Sequence, residues 1–524
     1  MKGGIILNAY LLLNIPASIV PEQEILTYGE ERQSYSNLLE NSGCLAAALA
    51  SRGIRQGDRV GLISTNRPEM ITAFYAAFQL GAVIVPINYR AKAEEFLYML
   101  QDAGVSALLI ENRYAGVVES ILNETNVNAV ICMDESHSIG PSYEEAIAQV
   151  EQPLVEFADV DMDDLSILLY TSGTTSKPKG VMITYGQITS YVMNHSEAAD
   201  GTPKGASIIC APSYHVAGVT SICNCIYGGR RLILQNQFEA GNWLRAIEKE
   251  KATHAFLIPT MLKQVMDHPD FESTDLSSLE SLSYGAAPMP FPIIRRAIEL
   301  FPPTTHFANA FGLTETTSTV CVLGPEDHQL TGSPEEVDKK IQRLKSVGRP
   351  VPGVEIAILG EDGNRMLPNQ IGNVFVRTER SMKGYWKRPE ASSETVQNGW
   401  INTKDMGWID EDGYLFLSGR SSDMIIRAGE NISPAEIEDV LHGHPAVTDV
   451  AVISTPSEEW GEEVMAVIVP ADKEYPPTVE ELVAYSRQYL ASFKCPKVIQ
   501  FVEELPRTTT GKILKRTLRE QFVN

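Results

Sequence analysis

Hydrophobic and polar positions alternate along the first part of the chain in the manner of a protein built from β-strand–helix–β-strand units. Residues 59–64 (RVGLIS), 83–87 (VIVPI) and 107–110 (ALLI) are short apolar runs that predict buried strands. The pattern predicts one helix after Asn66, with Asn66 as its N-terminal cap, and a second helix over residues 91–103. This repetition predicts a parallel sheet covered by helices on both faces.

Two later parts of the chain have a different pattern. Residues 346–418 are short strand-like runs separated by Asp-Gly and Asn-Gly turns, which predict a small, mostly β subdomain. Beyond them, Ser433 is placed to cap a helix, two alternating runs (VTDVAVIS and EVMAVIVP) predict strands, and residues 478–490 predict a helix. We therefore expect a large N-terminal α/β domain and a small mobile α+β domain, divided as residues 1–419, a hinge linker at 420–423, and residues 424–524.

Composition narrows the class of partner. The 524 residues are too many for a single hydrophobic core, and 44% of them are hydrophobic, as in ordinary globular proteins. The net charge of −24 argues against nucleic acid as a partner. Seven cysteines without regular spacing predict reduced thiols in a cytoplasmic protein. Asn8 and Asn14 interrupt the apolar first twenty residues, so the apolar stretch is too short to span a membrane, and we expect a docked helix there rather than a signal peptide.

The most informative segment is residues 170–180, YTSGTTSKPKG, which follows an apolar run that predicts a strand. Glycine lets backbone N–H groups converge on an anion, hydroxyls donate hydrogen bonds, and lysines supply charge, so the segment predicts a phosphate-binding loop. It matches neither the common NTPase loop nor the dinucleotide fingerprint. The alternative is a solvated Ser/Thr/Gly linker, which needs neither the Pro-Lys-Gly ending nor the preceding strand.

This loop resembles the signature loop of the adenylate-forming superfamily, which includes acyl-CoA synthetases, the adenylation domains of peptide synthetases and firefly-type luciferases. Further segments resemble the superfamily's motifs in the same order: 212–215, 284–288, 309–316, 347–350, 403–405, 419–420, 429–431 and 506–512. The resemblance extends from about residue 25 to the end of the chain, and it favours the acyl-CoA synthetase branch. It implies that ATP, a carboxylic acid and CoA are converted into acyl-CoA, AMP and pyrophosphate through an acyl-adenylate, with Mg²⁺ as cofactor.

The resemblance also assigns roles to individual residues. The residues implied to hold the β- and γ-phosphates are Thr171, Ser172, Gly173, Thr174, Thr175 and Lys179. Thr314 is expected to meet the α-phosphate, Glu315 to position Mg²⁺, and Lys512 to bridge the reacting carboxylate and the α-phosphate. Asp405 and Arg420 are expected beside the ribose. Those implied to surround adenine are Gly285, Ala286, Ala287, Asn309, Phe311 and Gly312.

The second half-reaction has its own implied residues. In the resembled family the small domain swings about a hinge, whose position is Ser422, after the adenylate has formed. Those implied to contact CoA are Arg427, Ala428 and Gly429. The acyl pocket is predicted at His215, Val216, Ala217 and Gly218. The last three are small and apolar, which favours a fatty, alicyclic or aromatic acid, and His215 is expected near the substrate carboxyl.

Several alternatives stay open on sequence alone. Taken singly, Glu315 is compatible with a helix cap, Asp405 with a turn, and Arg420 and Lys512 with solvated surface charges. The chain could load a carrier protein instead of CoA, or it could bind nucleotide as a regulator without turnover. The departures from the family pattern include Tyr185, Lys404 and Ser422. The pattern leaves a homodimer open and predicts no integral membrane span.

Overall fold

The fold is described by a computed structural model, covering residues 8–171, 177–427, 430–457, 459–508 and 511–523. Within them the strands are β1 (Glu24–Tyr28), β2 (Glu31–Ser34), β3 (Arg59–Ile63), β4 (Val83–Pro86), β5 (Val105–Ile110), β6 (Ala129–Cys132), β7 (Leu165–Thr171), β8 (Lys179–Thr184), β9 (Ala206–Ile209), β10 (Arg231–Leu234), β11 (His254–Leu257), β12 (Ser281–Gly285), β13 (His306–Leu313), β14 (Ser318–Leu323), β15 (Arg349–Pro350), β16 (Val354–Leu359), β17 (Gly372–Thr378), β18 (Val396–Gln397), β19 (Trp400–Ile409), β20 (Leu415–Arg420), β21 (Ile425–Arg427), β22 (Glu430–Ile432), β23 (Val447–Ser457), β24 (Gly461–Pro470) and β25 (Val498–Phe501).

The α-helices of the same residues are α1 (Leu11–Ile19), α2 (Tyr35–Ser51), α3 (Pro68–Gln79), α4 (Ala93–Ala103), α5 (Asn112–Glu119), α6 (Tyr143–Ala148), α7 (Tyr185–His195), α8 (Val216–Gly228), α9 (Ala240–Glu250), α10 (Pro259–Met266), α11 (Phe291–Leu300), α12 (Pro325–His328), α13 (Pro334–Arg343), α14 (Pro389–Thr395), α15 (Pro434–His442), α16 (Val479–Ser486) and α17 (Lys515–Phe522). Short 3₁₀ turns occur at Leu122–Glu124, Phe271–Ser273, Thr314–Thr316 and Ser421–Asp423.

Two twisted sheets form the centre of the large domain. One runs in the order β6–β5–β3–β4–β7–β8 and is parallel except for the antiparallel β7–β8 hairpin at its edge. The other runs β15–β14–β13–β12–β11–β9–β10–β1–β2 and is parallel from β13 to β1. The near-continuous apolar strands are buried because helices cover both faces of a parallel sheet. The prediction of an α/β domain with parallel sheets is confirmed.

The predicted cap of α3 is wrong. The helix begins at Pro68 with Arg67 as the N-terminal capping position, and no side chain there caps it. The Asn66 side chain is instead used over a long range, since its Nδ2 donates to Ala211 O at 3.0 Å and its Oδ1 accepts from Ser213 Oγ at 2.8 Å. Asn66 therefore ties the end of β3 to residues 212–215, a contact that helix-capping rules do not predict.

The N-terminal segment that is described packs against the large domain. Helix α1 contacts α2 and α8, and its Leu12 and Leu13 side chains are fully buried. The prediction of a docked helix is confirmed for this segment. Among the described residues, we find no helix whose length and apolar character would allow it to cross a membrane.

The last third of the chain contains the predicted β subdomain and the small α+β domain. Strands β16–β17–β19–β18, with β20 on β19, form an antiparallel sheet. The small domain has the order β22–β21–β24–β23, with β25 on β24. The Ser433 side chain accepts from Glu436 N, so the predicted cap of α15 is confirmed, whereas the helix predicted over 478–490 is shorter, at Val479–Ser486.

The small domain contacts the large domain through α15 and through the loop before α17. The Asp439 carboxylate accepts a hydrogen bond from Phe291 N at 2.9 Å, at the N-terminus of α11. A Cβ built on Gly511 would lie 2.6 Å from Ile258 Cδ1, so this loop lies directly against the large domain. The division at 419–423 stays a prediction.

Candidate active site

The turn between β13 and β14 carries Thr314 and Glu315. Gly312 lies under this turn, and a Cβ on it would be 2.0 Å from Ser318 O, so only glycine fits there. Thr316 Oγ1 donates to Leu313 O at 3.1 Å and closes the turn. Thr314 and Glu315 are thereby presented at the carboxyl end of β13, the edge where ligands of parallel sheets bind.

Glu315 contacts the segment that contains Met382 and Tyr385, and Tyr385 in turn contacts Lys179. The Tyr385 hydroxyl donates to Glu315 Oε1 at 2.8 Å, and Met382 N donates to Glu315 O at 2.7 Å. Lys179 Nζ lies 5.3 Å from the centroid of the Tyr385 ring, within the range of a cation–π contact. Burial, together with the Glu315 charge, raises the pKa of Tyr385 well above its ordinary value, so its hydroxyl stays a donor.

The two ends of the predicted phosphate loop are paired in the β7–β8 hairpin. Thr171 lies opposite Lys179, and the Thr171 hydroxyl is 3.4 Å from Lys179 O. Tyr98 supports the loop's second arm, because its hydroxyl donates to Pro178 O at 2.9 Å and its ring lies 4.9 Å from Lys177 Nζ. The residues of the loop tip that sequence predicts to bind phosphate lie outside the described residues: Ser172, Gly173, Thr174 and Thr175.

The residues predicted to surround adenine lie at the carboxyl ends of β12 and β13. A Cβ on Gly285 would be 2.2 Å from Ala310 O, and Ala286 has a φ of 64°, in the left-handed region. Asn309 is buried, and its Nδ2 is 3.4 Å from Ser346 O. Phe311 is half-buried. Ala287 follows Ala286 in the same turn.

Asp405 and Arg420 form an ion pair between the paired strands β19 and β20. Arg420 Nε lies 3.0 Å from Asp405 Oδ1, and Arg420 Nη1 donates to Thr403 O at 2.6 Å. Burial raises the pKa of Asp405, while the charges of Arg420 and Lys512 act in the opposite direction. Sequence alone left Asp405 compatible with a simple turn, but its carboxylate is buried beside two cations.

Lys512 reaches the same electrostatic environment from the small domain. Its loop is closed by Thr508 N donating to Lys512 O at 2.7 Å and by Lys512 N donating to Thr508 Oγ1 at 3.1 Å. Burial lowers the pKa of Lys512 to about 8; Arg420 contributes to the lowering, and Asp405 and Glu315 oppose it. Arg420, Asp405 and Glu315 are therefore close enough to Lys512 for their charges to act on its pKa.

His215 is the N-terminal capping position of α8, next to the predicted acyl-pocket residues. His215, Val216 and Ala217 are half-buried, whereas Gly218 is buried and a Cβ on it would be 2.6 Å from Pro212 O. Burial lowers the pKa of His215 to about 4, so the imidazole is neutral at physiological pH. The residues of the predicted pocket thus combine a neutral imidazole with three small, uncharged residues.

The predicted hinge and CoA residues lie around the start of the small domain. Ser422 is exposed in the 3₁₀ turn, and the neighbouring Asp423 pairs with Arg519 Nη2 at 2.9 Å. Arg427 Nε lies 2.9 Å from Glu463 Oε1, and the guanidinium lies 4.9 Å from the Trp460 ring centroid. Ala428 and Gly429 lie outside the described residues.

The sequence analysis missed two groups of residues. Tyr385 was not predicted, although it joins Glu315 to Lys179; it lies 70 positions from Glu315 and carries no local signal. The other group braces the phosphate loop: Asp102 accepts from Tyr170 Oη at 2.8 Å and from Arg388 Nη2 at 2.9 Å. These contacts join residues that are far apart in the sequence, so they can be identified only once the fold is known.

The comparisons with known proteins agree with this architecture. The AMP-binding enzyme family matches residues 16–386, and the AMP-binding enzyme C-terminal domain matches residues 436–512. The chain therefore belongs to the AMP-binding enzyme family.

Similar proteins align along nearly their whole length. A feruloyl-CoA synthase of Amycolatopsis sp is 34% identical over 507 residues, covering 97% of each chain. A long-chain-fatty-acid–CoA ligase of Mycobacterium tuberculosis is 33% identical over 496 residues, covering 94% of this chain and 93% of the ligase. The crystal structure of an anthranilate CoA ligase in complex with anthranoyl-AMP superposes with a TM-score of 0.90 at 26% identity, covering 99% of this chain and 98% of the other.

Proposed function

We propose that this protein is an AMP-forming acyl-CoA synthetase that joins a carboxylic acid to CoA through an acyl-adenylate. The observation that carries the proposal is the convergence of Lys512 from the small domain with Asp405, Arg420 and Glu315 of the large domain. Membership of the AMP-binding enzyme family and the CoA ligases among its relatives support it.

Adenylation requires positive charge around a carboxylate and a triphosphate that repel each other. A carboxylate oxygen attacks the α-phosphorus of ATP, the bond to the pyrophosphate oxygen breaks, and pyrophosphate leaves with its electrons. Negative charge builds on the α-phosphate oxygens, where preorganised donors stabilise it. We assign this role to Lys512, with the Thr314 hydroxyl beside it and Lys179 nearer the β- and γ-phosphates.

The ribose is assigned to Asp405 and the nearby Arg420. A carboxylate with two oxygens can accept from two vicinal hydroxyls. Arg420 holds one carboxylate oxygen in place at 3.0 Å, so Asp405 is oriented before ATP arrives. Preorganisation of this kind lowers the entropic cost of binding.

A magnesium ion fits the donors that the site offers. No cluster of three or more His, Cys, Asp or Glu suited to a metal occurs in the described part of the chain. Magnesium is commonly held by one or two carboxylates together with substrate phosphates and water. We propose that Glu315, with one oxygen oriented by Tyr385, is the carboxylate, and the ion would offset triphosphate charge when bound.

The acid is proposed to be aromatic or fatty. The half-buried Val216 and Ala217 and the neutral His215 form an uncharged entrance. The charged carboxylate of the acid can then lie toward Lys512, while the apolar part of the same acid is removed from water against Val216 and Ala217. The relatives act on feruloyl and long-chain acyl groups, as their names state, which supports the same two classes.

For the second half-reaction we propose that the small domain rotates at 420–423. Rotation removes Lys512 and brings the Arg427 region toward the adenylate. The CoA thiolate sulfur attacks the acyl carbonyl carbon, and AMP leaves with the electrons of the acyl–phosphate bond. The exposed Ser422 in a single 3₁₀ turn offers little resistance to backbone rotation.

The direct test is a screen of carboxylic acids with ATP, Mg²⁺ and CoA, in which pyrophosphate, AMP and acyl-CoA are all quantified. The proposal predicts equal amounts of the three products with at least one aromatic or fatty acid. Release of ADP and phosphate would contradict attack at the α-phosphorus. Pyrophosphate release without acyl-CoA would contradict CoA as the acceptor.

A further inference from the structure

Arg380 is a cation inside the large domain that the proposed chemistry does not use. Its side chain lies just after β17, and the residue is 5% exposed. Within the described residues, neither Nη1 nor Nη2 has a hydrogen-bond partner, and Nε is 3.5 Å from Thr378 Oγ1. Burying a guanidinium without an anionic partner costs free energy, so an unpaired buried arginine indicates a functional role such as binding an anionic ligand.

The surroundings of Arg380 are polar, but within the described residues no carboxylate pairs with its guanidinium. Its guanidinium carbon lies 5.2 Å from the centroid of the Tyr191 ring. The Tyr191 ring stacks on His195 with centroids 4.4 Å apart, and the Tyr191 hydroxyl is 3.4 Å from Thr319 Oγ1. Burial lowers the pKa of both Arg380 and His195, and the Arg380 charge lowers that of His195 further, so His195 is neutral.

This polar cluster is connected to the predicted acyl-pocket residues indirectly, through helix α8 and strand β14. Helix α8, whose first turn holds Val216 and Ala217, packs against both α7 and β14. Thr220, one turn along α8, donates to Val216 O at 2.8 Å, and its hydroxyl is 3.2 Å from Ser318 Oγ. Ser318 precedes Thr319, the residue that meets Tyr191. The cluster is thus joined to the pocket through adjacent residues of α8 and β14.

The same segment is attached to the proposed active site. The hydroxyl of Thr317 donates to Arg380 O at 2.8 Å, and Met382 N donates to Glu315 O at 2.7 Å. The backbone on both sides of Arg380 is therefore fixed to the β13–β14 turn that carries Thr314 and Glu315. The position of the guanidinium is set by the same turn as the proposed catalytic residues.

We propose that Arg380 recognises a second carboxylate at the end of the acid remote from the reacting carboxyl, so that the preferred substrates are dicarboxylic acids with an apolar middle. This inference rests on the proposed acyl-CoA synthetase activity. A guanidinium matches a carboxylate through two parallel hydrogen bonds, and both unpartnered Nη atoms would be used. The apolar side chains at the α8 entrance would contact the middle of such an acid.

The test compares matched acids that differ only at the far end: hexanoate with adipate, octanoate with suberate, and p-toluate with terephthalate. Pyrophosphate release gives kcat/KM for each acid with the wild-type enzyme, with Arg380→Met and with the control Arg377→Met. Arg377 is exposed on β17 and pairs with Glu355 at 2.5 Å, so its replacement removes one arginine from the strand that precedes Arg380 without touching the cluster.

The wild-type enzyme is expected to prefer the diacid in at least one pair. Arg380→Met should lower the diacid-to-monoacid ratio on the order of 100-fold, because without the guanidinium the second carboxylate of the diacid is buried without its cationic partner. Arg377→Met should leave the ratio unchanged. Arg380→Met should also have a thermal midpoint equal to or above that of the wild type, since it removes an unpaired buried charge.

Two results would overturn the inference. One is a wild-type enzyme that prefers none of the matched diacids over its monoacid. The other is an Arg380→Met enzyme with an unchanged diacid-to-monoacid ratio, whatever its thermal midpoint; a much lower midpoint would then assign Arg380 a structural role. Both leave the acyl-CoA synthetase proposal intact, whereas the absence of pyrophosphate release with every acid would contradict that proposal itself.

Discussion

Arg420 Nε lies 3.0 Å from Asp405 Oδ1, and the pair links the middle of β19 to the last residue of β20, where the predicted hinge begins. Burial alone would favour the neutral form of Asp405, whereas Arg420 and Lys512 favour its anion. One buried carboxylate is therefore influenced by a cation at the start of the 420–423 linker and by another from the small domain. We regard this arrangement as the structural basis for coupling nucleotide binding to the position of the small domain.

Asp405→Asn should weaken ATP binding. The amide replaces one acceptor oxygen by a donor and leaves Arg420 without its anionic partner. Hydrogen bonds to charged groups contribute about 1.5–3 kcal/mol, so KM for ATP should rise on the order of 10- to 100-fold. Steady-state kinetics at saturating acid and CoA measure this. Asp362→Asn, an exposed turn position of the same β subdomain, is the control, and equal KM values in the two variants would contradict the assignment.

The pH dependence of adenylation should report Lys512. Its pKa is lowered to about 8, so the ammonium is lost as pH rises through that value, well before an ordinary lysine would titrate. Because the proposed transition state needs the cation, kcat/KM for the acid should fall about tenfold per pH unit above pH 8. In Lys512→Arg, whatever its absolute rate, this falling limb should be absent up to pH 10. A limb of the same midpoint in both enzymes would assign it to another group.

Lys404 should be a strained position that glycine relieves. Its φ of 62° lies in the left-handed region, where side chains other than glycine cost about 1–2 kcal/mol. Lys404→Gly regains that strain but adds chain entropy in the unfolded state, so a net stabilisation of roughly 0.5–1 kcal/mol is expected. Urea unfolding measures it. Lys473→Gly, an exposed loop lysine that is not among the residues with positive φ, should be neutral or destabilising.

Asp439 should hold the small domain in the position seen here. Its carboxylate accepts a hydrogen bond from Phe291 N, the first residue of α11. The capping position of that helix within the large domain is Pro290, whose side chain provides no cap. Loss of an N-terminal cap costs about 1 kcal/mol, which would shift the docked population about fivefold. Asp439→Ala should therefore slow acid-dependent pyrophosphate exchange several-fold, while transfer from a preformed acyl-adenylate to CoA is maintained.

The control for Asp439 is Glu480→Ala, which removes an exposed carboxylate from the same domain. If both half-reactions slow equally in Asp439→Ala, the contact does not select between domain positions.

Features of the fold that depend on residues close together in the sequence could be predicted, whereas features that depend on distant residues could not. Strands such as β3, β4 and β5 follow from local apolar runs, and Ser433 follows from a local capping pattern. The predicted helix cap at Asn66 was wrong because this side chain forms its hydrogen bonds with Ala211 and Ser213, about 145 residues away, instead of with the following helix. No local pattern contains that contact.

The candidate site divides in the same way. The motif residues Glu315, Asp405 and Lys512 were predicted from their order along the chain, and their roles remain predictions. Tyr385 and Arg380 were not predicted. Tyr385 is distinguished by its hydrogen bond to Glu315, and Arg380 by a buried guanidinium whose Nη atoms have no partner among the described residues. Burial and partnership are properties of packing, which the sequence does not display.

The account depends most on Lys512 acting in adenylation and then leaving. Lys512→Ala is therefore compared with Lys497→Ala, an exposed lysine of the same domain, in two separate assays. We predict that Lys512→Ala loses at least roughly 10²–10³-fold in acid-dependent ATP–pyrophosphate exchange, the scale of a lost transition-state donor. It should still transfer the acyl group from a synthetic acyl-adenylate to CoA at close to the rate of the control. Equal losses in both assays, or no loss in the first, would contradict the account.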